Sequence, residues 1–61
     1  MGIINVGDWV SFYFGGAIVI GEVRYIRTRI GGYVELCTHK GVVDATSVLE
    51  VRRGAFAVDV S

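Results

Sequence analysis

Sixty-one residues make one domain at most, in a size range where a single core barely offsets the entropy of ordering the chain. Six basic and six acidic side chains cancel to a formal net charge of zero, which argues against strong binding of duplex DNA. Apolar residues make up 52% of the chain, more than so small a body buries, so another copy of the chain is expected to cover part of the surplus.

Val, Ile, Phe, Tyr, Trp and Thr crowd the sequence in short runs punctuated by glycine, the signal of an all-β barrel or sandwich. Gly7-Asp8 launches a first strand, Trp9 to Phe14, whose alternation sets Val10, Phe12 and Phe14 against Trp9, Ser11 and Tyr13. Gly15-Gly16 turns the chain back into a long second strand, Ala17 to Arg29, with a bulge or bend expected at Gly21. One such strand serves both halves of a closed sheet.

Gly31-Gly32 marks a hairpin. A two-residue turn would set Arg29 against Val34 and mix charge into an apolar face. A three-residue loop, Ile30 to Gly32, pairs Arg27 with Glu35, Ile26 with Leu36 and Thr28 with Val34, and puts Gly32 at positive φ. That register is the one expected. Tyr33 to His39 forms the third strand, Lys40-Gly41 a turn, and Val42-Val43 a fourth strand. Asp44, Thr46 and Ser47 cap one tight helical turn, and Val48 to Arg52 is the fifth strand. After Gly54, residues 55–60 alternate as a last extended segment. The expected core is Val10, Phe12, Phe14, Ile20, Val23, Ile26, Val34, Leu36, Val43, Val48 and Leu49.

Gly7-Asp8-Trp9-Val10, Gly21-Glu22-Val23, the Gly31-Gly32 hairpin and Ser47-Val48-Leu49-Glu50-Val51 together resemble the SH3-like small barrels over about residues 7–52. The resemblance implies a five-stranded barrel with one short helical turn before its last strand, in a single domain over residues 1–61. It says little about function, because this fold hosts many activities. A distant likeness reaches the type II dihydrofolate reductases, tetrameric barrels whose shared pore binds folate and NADPH. Their Val-Gln-Ile-Tyr run corresponds here to Gly41-Val42-Val43-Asp44, which lacks the glutamine and the tyrosine. The ligand-holding residues do not carry over, and no cofactor is expected.

Arg24, Arg27 and Arg29 crowd one strand, with Tyr25 among them and Tyr33 across the hairpin. Guanidinium planes beside phenol rings stack bases and grip phosphates, so this face is a candidate for single-stranded nucleic acid or a protein partner. A solvated face with an Arg27–Glu35 ion pair, or an interface, explains the same letters, and zero net charge favours that explanation. Glu35, Cys37 and His39 share a face of the third strand, but two potential ligands make no zinc site. The lone cysteine, together with no signal peptide and no bilayer-spanning run, fits a reduced, cytoplasmic setting away from membranes.

Trp9, Tyr13, Phe56, Val58 and Val60 lie beyond the expected core and are the candidate oligomer interface. The function expected is a non-enzymatic, oligomeric interaction module for protein or nucleic acid. An oligomeric pore for a small molecule or nucleotide cofactor is the alternative.

Overall fold

The computed structural model describes residues 4–53, so the segment 55–60 lies outside the described residues. Five strands follow in chain order: β1 (Trp9–Phe14), β2 (Ala17–Thr28), β3 (Val34–Thr38), β4 (Gly41–Asp44) and β5 (Glu50–Arg52). A 3-10 turn, Ala45–Ser47, separates the last two. All neighbours are antiparallel, in the order β4-β3-β2-β1-β5. The expected closed barrel does not form among the described residues: the sheet is open, with β4 and β5 as its edges.

The turns follow from glycine. Gly15 and Gly16 both take positive φ, 64° and 86°, so two residues suffice to join Phe14 to its partner Ala17. The second hairpin uses three residues. Arg27 faces Glu35, Ile26 faces Leu36 and Thr28 faces Val34, and Gly32 has φ 88°. This is the register that segregates charge from apolar surface. At the turn after β4, Asp44 Oδ1 accepts from the Thr46 N–H at 2.9 Å and from its hydroxyl at 2.8 Å, capping Ala45–Ser47 as expected. Both bonds hold the Asp44 carboxyl below its ordinary pKa, the backbone one more strongly.

β2 changes partner halfway along. Residues 17–22 pair with β1 and residues 23–28 with β3, so one long strand serves two ladders. The irregularity lies between Val23 and Tyr25, not at Gly21. Gly21 is required by a close approach instead: a Cβ there would stand 2.6 Å from Thr38 Oγ1 and 2.9 Å from Thr38 Cβ. That threonine cannot step aside cheaply, because its hydroxyl donates to the Gly41 carbonyl and accepts from the Lys40 and Gly41 N–H groups.

The displaced bulge decides the core. Because alternation runs unbroken from Ala17 to Val23, Val19, Gly21 and Val23 face inward and Ile18 and Ile20 face out. Val10, Phe12, Val23, Leu36 and Val43 are buried together, with Ile4, Val19, Val34, Ala45 and Val48 packed against them. Four expected core members are exposed. Ile20 (58% exposed) is on the outer side by parity, Phe14 and Leu49 are half exposed, and Ile26, opposite Leu36 beyond the bulge, is 37% exposed.

Candidate functional site

The first surface is the outer face of β1 and the first half of β2. Alternation turns Trp9, Ser11 and Tyr13 outward, and register sets Glu22, Ile20 and Ile18 opposite them. Tyr13, Ile18 and Ile20 are each more than half exposed and Trp9 is 39% exposed. Glu50 and Arg52 of β5 border the patch, where Trp9, Ser11 and Ile20 complete a crevice of about 30 Å³. Four large apolar side chains on one face exceed the scattered exposure normal for a small soluble body.

The second surface lies beyond the partner change. Arg27 Nη2 and Arg29 Nη1 both donate to Glu35 Oε1 at 3.2 Å, so one carboxylate oxygen holds two guanidiniums. The hydrogen bond to Glu35, first among several causes, raises the Arg27 pKa further. Arg29, Ile30, Tyr33, Glu35 and Asp44 line an open groove of about 440 Å³. Ile30 at its rim is 97% exposed. The charges of Arg27, Arg29, Glu35 and Asp44 cancel, so the groove is no anion trap.

Not all of the expected arginine–tyrosine constellation comes together. Arg27, Arg29 and Tyr33 gather around Glu35, and Tyr25 is exposed opposite buried Cys37. Arg24 sits in the irregular stretch and pairs with Glu22, Nε to Oε1 3.6 Å. Trp9 and Tyr13 share the apolar face, whereas Phe56, Val58 and Val60 fall outside the described residues. Sequence reasoning missed Ile18 and Ile20 as members of this patch. Strict period-two counting back from Val23 would have found them. It also missed Ile30, whose place in a three-residue loop predicts exposure.

Two further contacts tie the surfaces to the frame. Asp8, only 4% exposed, accepts from the Asn5 N–H at 2.8 Å and from Arg53 Nη1 at 3.4 Å, linking the start of the sheet to the residue after β5. His39 stands edge-on to Trp9, ring centroids 5.6 Å apart, and its Nδ1 accepts from the Glu22 N–H at 3.0 Å. Glu35 holds two arginines, Cys37 is a buried free thiol and His39 meets Trp9 and Glu22, and among the described residues no three His, Cys, Asp or Glu side chains gather as a metal site would require. Among the described residues no helix is long and apolar enough to cross a membrane. Compared with protein-family models, curated proteins and solved structures, the chain matches none.

Proposed function

We propose that this chain is a non-enzymatic interaction module of SH3-like plan that assembles with copies of itself through the outer face of β1 and β2. The observation that carries the reading is the shared exposure of Trp9, Tyr13, Ile18 and Ile20 on one side of one hairpin. Burying such a patch against its own copy removes apolar area from water with no charge to desolvate at its centre, since Glu22, Glu50 and Arg52 sit at the rim. The strand order, the shared long strand and the single helical turn before β5 support the SH3-like plan. The arginine–tyrosine groove serves a further partner in this reading. Its cancelled charges and exposed Ile30 favour a polypeptide over nucleic acid.

The test is Ile20→Asp, a change at an exposed position that leaves the core untouched. The variant is expected to keep its far-ultraviolet circular dichroism and to sediment as a 6.6 kDa monomer where the parent chain is larger. An unchanged assembly in the variant would place the contact elsewhere and end this reading.

A further inference from the structure

The partner change in β2 is fastened by a side chain. His39 donates its backbone N–H to the Glu22 carbonyl at 3.3 Å, but the Glu22 N–H returns its bond to the imidazole Nδ1, not to a backbone carbonyl. An imidazole nitrogen accepts a hydrogen bond only when it carries no proton, so this geometry requires neutral His39 with its hydrogen on Nε2. The same ring stands edge-on to Trp9 at 5.6 Å, and Trp9 is the register partner of Glu22. Trp9, Glu22 and His39 therefore form a row across β1, β2 and the residue that follows β3.

We infer that His39 is a proton-operated clip: protonation of Nδ1 releases the Glu22 N–H and loosens the row that holds Trp9 against the β2–β3 ladder. With Nδ1 protonated, two N–H groups face each other and the bond cannot form in either direction. The charged groups around the ring leave this logic intact. Glu22 and Arg24 on β2 pair with each other, Lys40 follows His39 in the chain, and Arg52 on β5 stands on the far side of Trp9. Asp8, next to Trp9 on the β1 side, is occupied by Asn5 and Arg53. Every group in the row belongs to one chain, so the clip operates without self-association.

His39 is the chain's one histidine, so its ring signals are assigned without ambiguity. Heteronuclear NMR on dilute protein, lowered from about pH 8 to about pH 5, follows the ring nitrogens and the Glu22 amide together. The expected result is an Nε2–H tautomer at the upper end. The Glu22 amide then loses its downfield shift and its exchange protection, and Trp9 emission changes, at one midpoint shared with the ring. His39→Asn, whose Oδ1 supplies an acceptor that takes up no proton in this range, is expected to leave Glu22 and Trp9 flat across it. An Nδ1–H tautomer in the neutral ring, a Glu22 amide that ignores the titration, or a full response in His39→Asn would each overturn the clip.

Discussion

The two halves of β2 belong to one strand and present opposite chemistry to solvent. Before the partner change, Ile18 and Ile20 extend an apolar face with Trp9 and Tyr13; after it, Arg27 and Arg29 lie beside Glu35 and its register partner Asp44 in a cluster whose charges cancel. The first half keeps an inner side, Val19 and Val23, whereas beyond the irregularity between Val23 and Tyr25 every residue of β2 is exposed, Ile26 opposite Leu36 included. A single inserted position thus separates an exposed apolar face from a charged one.

The largest effect should come from removing what the first half packs on. Phe12 is 1% exposed, and Phe12→Ala is expected to cost about 3–5 kcal/mol in urea unfolding, enough to empty the native state of a domain this small. Ile20→Ala, on the opposite side of the same hairpin, should cost under about 1 kcal/mol in the monomer. Comparable losses at both positions would mean that the outer face is itself core. The junction between the halves comes next. Gly21→Ala drives a Cβ against a threonine pinned by three hydrogen bonds, and a loss of about 1–3 kcal/mol is expected by the same measurement. A neutral substitution would show that β2 and the β3–β4 turn do not approach as described.

The smallest effect lies on the charged side. Asp44 has a folded pKa below its unfolded value, so its capping contribution is present above the ordinary carboxylate range and is lost as pH falls through the lowered folded value. Thr46 amide protection followed down through acid should decline in the parent chain there. In Asp44→Asn, which caps without titrating, it should decline less.

Much of this was legible in the residues. Paired glycines located both hairpins, and charge pairing between Arg27 and Glu35 selected the loop length over a competing register. The cap at Asp44 followed from residue chemistry alone. The outer apolar face was only half legible, because it depends on where β2 slips. Gly21 is the residue type that marks a bulge, but here its missing Cβ makes room for Thr38, and the slip occurs at ordinary residues two positions on. Assigning Ile20 and Val23 to one face requires a bulge between them. With none there, the isoleucine moves to the surface and joins Trp9 and Tyr13. The acceptor role of His39 was not legible at all, since it depends on a backbone N–H seventeen residues away in sequence.

Sedimentation equilibrium from micromolar to millimolar concentration decides whether the outer face of β1 and β2 joins copies of this chain. The mass is expected to rise above 6.6 kDa with concentration and to fall back to it when Ile18 and Ile20 are both made polar. A parent chain that stays at 6.6 kDa throughout the range would contradict it.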